Sequence, residues 1–401
     1  MRGFLLVIAR PEPPPAVLTV ALHGHLSAQF GLAGGAAATG RLLEHVGCTV
    51  IPCDLQLATH PSLLPPTAPA ADAVPQLDLV HTNPNLLAAN PELLDPTALQ
   101  APLRIGYWAW ELEAFPEGWE PYFAAYDEIW CPSSFAAQAL AQRSPLPVVA
   151  VPHLPDWPRL DALREQRRRR RNPGQPFRFL SLFDFWSTTE RKNPLGAIQA
   201  FQLAFPPAEA APVELLIKTS SAEQFPQACA ALMAAANDDP RIRWLHELLS
   251  PAGMDQLLLS ADALLSLHRS EGFGLVLADA MAIELPVIAT GYSGNLDFMP
   301  PGSAALVSWQ LESIARTCGD YRQGWHWAQP NIAAAAQAMR QLRHDPDAAA
   351  ALGQAGATAV RERLSPERLG AIVRQRLGTL LLKPSRREAL QHTPAALQAL
   401  G

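Results

Sequence analysis

The chain is predicted to be an α/β protein made of two doubly wound, Rossmann-like domains. Three observations lead there. Short apolar runs of strand length alternate with helical segments along almost all of the 401 residues, which is the pattern of a mostly parallel sheet covered by helices. The alternation breaks once, at a proline- and arginine-rich stretch, and then restarts. The length suits two to three domains, each able to form its own core. The expected division is a first domain over 1–155, an Arg-rich linker over 156–176, a second domain over 177–364, and a closing helix and tail over 365–401.

Composition narrows the function classes. Lys and Arg number 31 against 37 Asp and Glu, a net charge of −6, so no global basic field exists to attract nucleic acid. The five cysteines, at 48, 53, 131, 229 and 318, are scattered and odd in number. They read as buried reduced thiols in a reducing compartment. The apolar run FLLVIA near the start spans six residues before Arg10, too few for a signal-peptide core or a membrane span. A soluble, cytoplasmic protein is expected. The 39 prolines read as compositional bias, since apolar residues still make up 49%.

In the first half, AVLTVALHGHL (16–26) reads as a buried strand, followed by a glycine-rich turn and a helix from Leu32 to Val46. CTVIPCDL is the next strand. This βαβ unit puts the loop at Gly31 at the carboxyl end of a parallel strand, where such sheets bind ligands; it lacks G-x-G-x-x-G, so no dinucleotide site is inferred. The Pro-, Ala- and Thr-rich stretch 56–76 is a surface loop. LDLVHTN, LRIGYWAW, EIWCPS and VVAVPH supply four more strands, with helical segments at 87–100, 117–126 and 134–142. Two loops carry polar groups at strand ends, HTNPN (81–85) and WAWELE (108–113). His81 reads as a solvated loop histidine. Glu111 reads equally as a solvated acid or as a ligand-facing one, because tryptophans beside an acid make a common floor for a sugar.

In the second half, FRFLSLFDF, VELLIKT, IRWLHE, ALLSLHR, PVIAT and AALVSW are strands, with helices at Pro194–Phe205 and Gln224–Ala236. Three helices follow at 330–344, 346–363 and 366–382. Ser365 as N-cap and Pro366 at the first helical position start the last one; 384–401 is a frayed tail. The linker's arginines at 167–171 read as a solvated face, with contact to anionic lipid as the alternative.

Two stretches concentrate chemistry. In STTERKNP, Arg191 and Lys192 stand just before a helix that Asn193-Pro194 can start. Cations at a helix N-terminus are unfavourable unless an anion binds there, and a diphosphate would resolve the conflict. Lys218, at the end of VELLIKT, is a weaker candidate for the same anion. The second stretch is HRSEGFGLVLADAMAIELPVIATGYSGNLDF, 268–298, which reads strand, loop, helix, strand, turn. Glu271, Gly272 and Gly274 precede a helix start whose amides can face an anion. Glu271 and Asp279 can border one hydroxyl-rich ligand, since ionised carboxylates accept hydrogen bonds from hydroxyls.

That segment resembles the signature of retaining glycosyltransferases of the GT-B fold, family 4, the glycosyltransferase group 1 type: E-G-F-G-L-x-x-x-E-A-M-A. Glu271, Gly272, Phe273, Gly274, Leu275, Ala280, Met281, Ala282, Pro286, Val287, Ala289, Gly294 and Asn295 match. Asp279 replaces the second glutamate, and Ile283-Glu284 stands where the family often has Cys-Gly.

The resemblance implies a nucleotide diphosphate sugar donor between two domains, its nucleotide on the second, and a final helix crossing back to the first. Arg191 and Lys192 would clamp the diphosphate, and the amides of Phe273, Gly274 and Leu275 would meet the donor's sugar or phosphate. Glu271 would act on the sugar near its anomeric carbon, and Asp279 would hold the ribose. His268, Ser270, Gly272, Lys218 and Gly31 complete the expected donor site. Tyr-Trp-x-Trp-Glu stands where related enzymes carry an acceptor-facing histidine, which makes Glu111 the second catalytic candidate. No cofactor and no metal are expected: there is no Asp-x-Asp at a strand end, and cations with helix amides can neutralise a leaving diphosphate. The acceptor would be a saccharide or lipid-linked sugar, as in polysaccharide biosynthesis, with peripheral contact to the inner membrane face through 167–171. Two alternatives stay open, a non-catalytic nucleotide-sugar-binding subunit and a nucleotide-sugar epimerase.

Overall fold

A computed structural model describes residues 18–60, 74–169, 174–207 and 212–382. The first domain runs β1 (Thr19–Gly24), α1 (Gly31–His45), β2 (Thr49–Asp54), β3 (Leu77–His81), α2 (Pro84–Ala89), β4 (Leu103–Tyr107), β5 (Glu128–Cys131), α3 (Ser134–Ala141) and β6 (Val148–Ala150). Its sheet has the order β2-β1-β3-β4-β5-β6, with every neighbouring pair parallel. β3 and β5 are buried along their whole length, as strands covered on both faces must be.

α4 (Trp157–Arg169) leads to the second domain: β7 (Phe177–Asp184), α5 (Thr189–Lys192), α6 (Pro194–Ala204), β8 (Val213–Ser220), α7 (Pro226–Ala235), β9 (Ile242–His246), α8 (Pro251–Ser260), β10 (Ala263–Ser266), α9 (Leu275–Ala282), β11 (Val287–Thr290) and β12 (Ala305–Val307). Its sheet, β12-β11-β10-β7-β8-β9, is again parallel throughout. A two-stranded antiparallel hairpin follows, β13 (Trp309–Ser313) with β14 (His326–Pro330). The described chain ends with α10 (Ile332–His344), α11 (Pro346–Arg363) and α12 (Pro366–Leu381).

The start signal at α12 holds: the Ser365 side chain accepts from the Arg368 N–H at 3.2 Å, with Pro366 next in line. α12 returns to the first domain and packs on α1, where Arg376 pairs with the fully buried Glu128 of β5. One apolar core runs unbroken from Val20 and Leu22 through Leu277 and Met281 to Val373 and Leu380, so the two sheets are fastened to each other behind the cleft.

Several local expectations change. The 87–100 helix is α2 followed by two 3-10 turns, and 117–126 holds one 3-10 turn, Glu120–Ala125. The linker is mostly the helix α4, whose Trp157, Leu160 and Leu163 are buried against α8 and α9. Those three residues repeat at the i, i+3 spacing of one helix face. Arg167 donates to the carbonyl of Ala261 at 2.7 Å and Arg168 to Glu284 at 3.0 Å; Arg170 and Arg171 lie outside the described residues, as does the 384–401 tail. α5, α8 and the β13–β14 hairpin are additions. Among the described residues, no helix is long and apolar enough to cross a membrane.

Candidate active site

The carboxyl ends of both sheets face each other, and the loop between β10 and α9 meets the loop after β4. Gly294 lets the turn after β11 pack against the β10–α9 loop and the first domain: a Cβ there would lie 2.1 Å from the carbonyl oxygen of Gly272 and 2.7 Å from Ser133 Oγ. Its own N–H donates to the Glu271 carbonyl at 2.9 Å, while the Glu271 N–H donates to Ser293 Oγ at 2.8 Å. Gly274, at φ +94°, opens α9 from the left-handed region that glycine enters without strain. The first-turn amides of α9 have no intrahelical acceptors. Ser270 reaches across, donating from Oγ to the Glu111 carbonyl.

The cations arrive from the other side of the loop. Asn193 adopts φ +51° and caps α6, its Oδ1 accepting from the Gly196 N–H at 3.1 Å. Its Nδ2 donates to the Leu267 carbonyl at 2.8 Å, which locks the α5–α6 junction to the exit of β10. Arg191 and Lys192, in the short helix α5, are thereby held opposite Glu271. Arg191 is 4% exposed. Its Nη1 donates to the Ser270 carbonyl at 2.9 Å and lies 3.4 Å from Glu271 Oε2, while Nη2 lies 3.7 Å from Glu111 Oε1. Lys192 Nζ donates to Glu271 Oε1 at 2.5 Å. Tyr321, from the turn between β13 and β14, donates to Glu111 Oε2 at 3.1 Å, with the Arg191 guanidinium 5.9 Å from its ring centre.

These contacts set the charges. Burial works against an ionised Glu271, but Lys192 and then Arg191 outweigh it and bring its pKa down to about 2. Burial pushes the Glu111 carboxyl up, and Arg191 offsets this only in part. Two carboxylates and two cations thus form one interdomain cluster, in which Glu271 is firmly ionised and Glu111 less so.

The remaining expected residues are placed differently. His268 is fully buried, its ring bonded to Ser266 Oγ at 3.0 Å and Asn295 Oδ1 at 3.2 Å, so the side chain braces the Tyr292–Asn295 turn. The Phe273 ring points to the first domain, edge-on to His153 at 5.0 Å. Leu275 faces α1, close to Gly34. Asp279 is away from the cluster, with its carboxylate held by Arg159 of α4. Lys218 is buried at the end of β8, and burial lowers its pKa. Gly31 stands exposed at the start of α1. Two side-chain expectations are corrected. His81 is fully buried and stacked on Tyr107 at 4.1 Å, not solvated. Trp108 and Trp110 are buried among Trp119, Phe123 and Tyr126, so they support the Glu111 loop from beneath and offer no face to a sugar. Sequence reasoning misses Tyr321 and Ser293; Tyr321 reaches the site from more than 200 positions downstream of Glu111, with no local motif to flag it. Among the described residues no group of three His, Cys, Asp or Glu side chains is arranged to hold a metal ion.

Residues 187–359 match the family model described as glycosyl transferases group 1. Solved structures with the same fold include sucrose-phosphate synthase from Thermosynechococcus elongatus, at 16% identity, covering 91% of this chain and 99% of that one with a TM-score of 0.60. HepE from Anabaena, solved with UDP and glucose, has 13% identity, coverages of 90% and 100%, and a TM-score of 0.57. A point mutant of S. aureus TarM, solved with Fondaparinux, alpha-GlcNAc-glycerol and UDP, has 12% identity and a TM-score of 0.51 over 77% of this chain, which spans only 55% of TarM. Identities this low speak for the fold. No curated protein sequence matches. The chain therefore has the GT-B fold of these glycosyltransferases, and its residues 187–359 are similar to the group 1 family.

Proposed function

We propose that this chain is a retaining, metal-independent hexosyltransferase that moves a sugar from a nucleotide diphosphate sugar to a saccharide or lipid-linked acceptor. The observation that carries this is the pair Arg191 and Lys192, bound to Glu271 beside the first turn of α9 in the interdomain cleft. Binding of UDP by HepE and TarM supports a nucleotide donor. Lys192 and Arg191 hold the diphosphate, one as a compact charge and the other through a planar fork, and the α9 amides add dipolar stabilisation as the leaving group gains charge. Glu271, ionised and adjacent, steadies positive charge near the anomeric carbon. Glu111 approaches from the acceptor side. Asp279 reads the ribose, sharing its carboxylate with Arg159. The protein would act in the cytoplasm, with lipid contact through the Arg run at the membrane's inner face.

A thermal-shift screen of UDP-, GDP- and ADP-sugars tests the donor site, since a ligand at ~100 times its Kd stabilises by ~2.7 kcal/mol. NMR of the product's anomeric configuration, with chelator present, then tests retention and metal independence. If no nucleotide sugar shifts the transition, the donor site is wrong. Engagement of Asp279 by Arg159 favours one second reading, a subunit that binds the nucleotide without transfer; binding with no turnover over a broad acceptor panel would select it. An epimerase would instead alter the sugar while leaving the nucleotide attached.

A further inference from the structure

We propose that Glu111 takes up a proton when a nucleoside diphosphate enters the cleft, so that the donor is held beside a neutral carboxylic acid. The inference rests on the nucleotide-sugar reading of this site and adds to it the protonation state in which the site works.

Glu271 has two close cations, Lys192 at 2.5 Å and Arg191 at 3.4 Å. Glu111 has one, Arg191, at 3.7 Å, and that guanidinium already gives its best hydrogen bond to the Ser270 carbonyl. Lys192, from the same α5 turn, acts on Glu111 too, but less than the opposing charge of Glu271 does, and the remaining groups facing it bring no positive charge. From the hairpin, Tyr321 donates a neutral hydrogen bond, and Asp320 beside it accepts from Asn85 at 2.7 Å. From the β10–α9 loop come Glu271 itself and the Ser270 hydroxyl. On its own loop, Glu113 accepts from Tyr292 at 3.0 Å. Glu111 is therefore the more weakly compensated of two carboxylates in one buried cluster.

Two cations, Arg191 and Lys192, and two carboxylates, Glu111 and Glu271, cancel in formal charge within the cluster. A diphosphate that draws on the two cations adds at least two negative charges and weakens the hold of Arg191 on Glu111. A single negative charge placed ~6 Å from a carboxylate in this kind of surrounding raises its pKa by on the order of two units. Burial already pushes Glu111 up, and the added charge pushes it further toward the neutral acid. Once protonated, the carboxyl no longer repels the leaving phosphate and presents an O–H that can donate to the donor or acceptor. Tyr321, fixed on Oε2, is the positioning residue that leaves Oε1 for that proton.

The sign follows from linkage. A group whose pKa rises on binding favours the complex at low pH, so affinity falls as pH rises from the free-state pKa of Glu111 toward its bound-state pKa. The test is titration calorimetry near neutral pH in buffers of different ionisation enthalpy. The probe is whichever of UDP, GDP or ADP binds; its terminal phosphate titrates in the same range, so the quantity read is wild type minus variant. Wild type and Glu113→Gln should take up a substantial fraction of a proton more than Glu111→Gln, and Glu111→Gln should bind more tightly than wild type at alkaline pH, by up to ~10-fold per pH unit. Equal proton counts in wild type and Glu111→Gln overturn the inference while leaving the nucleotide site intact. Failure of all three nucleotides to bind overturns the nucleotide reading and the inference with it.

Discussion

Replacing Glu271 with glutamine should destabilise the protein at neutral pH, by less and less as pH falls through the acid range. The folded-state pKa of Glu271 lies at about 2, against an ordinary value of 4.5. That depression corresponds to roughly 3 kcal/mol of stability. Little of it is lost to solvent screening, because the side chain is only 12% exposed. The sign is that of a depressed carboxylate: the contribution is complete above the unfolded-state pKa and disappears as pH falls through the folded one. Urea unfolding of wild type and Glu271→Gln from about pH 6 to about pH 3 should therefore show a gap that starts near 2–4 kcal/mol and closes by up to ~1.4 kcal/mol per unit once the unfolded-state carboxyl begins to protonate. The amide keeps a hydrogen-bonding oxygen for Lys192, so steric change is small and the charge is what is removed. A gap that does not vary with pH would show that packing, not ionisation, accounts for the loss. No gap at all would mean that Lys192 and Arg191 gain nothing from Glu271, and the charge cluster would lose its meaning.

Three further outcomes are expected. Lys192→Met should weaken nucleoside diphosphate binding by about 1.5–3 kcal/mol, the value of one hydrogen bond to a charged group, measured by calorimetry; unchanged affinity removes the diphosphate from this corner of the cleft. Asp279→Ala should lose the preference for ribo- over 2′,3′-dideoxynucleotides along with about 1–3 kcal/mol of affinity, whereas a retained preference would leave Asp279 as a structural partner of Arg159. Glu284 sits at φ +62°, so Glu284→Gly should be more stable than Glu284→Ala by roughly 1–2 kcal/mol in thermal unfolding; equal stability would contradict a strained backbone there.

Both sheets, their strand content and the closing helix can be read from period and punctuation because parallel strands are short continuous apolar runs and the caps are local. Ser365-Pro366 marks α12 correctly. The same pair at Ser250-Pro251 starts α8, with the Ser250 side chain accepting from the Gly253 N–H at 3.1 Å, and Met254, Leu257, Leu258 and Ala261 follow it at helical spacing, so α8 is legible in the sequence although it is not among the expected helices. Helix α4 is better hidden: its buried face is three residues wide and ends in arginines that dominate the composition. At the site, Arg191, Lys192 and Glu271 are legible because motif and helix start lie within a few residues of each other. Tyr321 is not, since its role depends on a hairpin folding over a loop far away in sequence. Exposure is misread wherever it depends on tertiary cover, as for His81, Trp108 and Trp110. Glu284 shows the reverse case. The Gly-like position is visible as a departure from the family's pattern, and the backbone keeps the left-handed angle although the glycine is absent.

The conflict seen in the sequence, two cations beside a helix start, is resolved in the fold by carboxylates. Glu271 and Glu111 supply the negative charge that the α6 N-terminus and the buried Arg191 require, and they do so from both sides of the cleft. Binding a diphosphate here would therefore be an exchange of anions and not the filling of a cationic hole. Its net gain would be the difference between phosphate and carboxylate as partners for Arg191 and Lys192, less the cost of crowding negative charge onto Glu111. An exchange of this kind would give modest affinity for the nucleotide alone. It would reserve the stronger stabilisation for the moment when a leaving group becomes fully charged, which is the condition under which binding energy lowers a barrier and does not merely tighten the ground state.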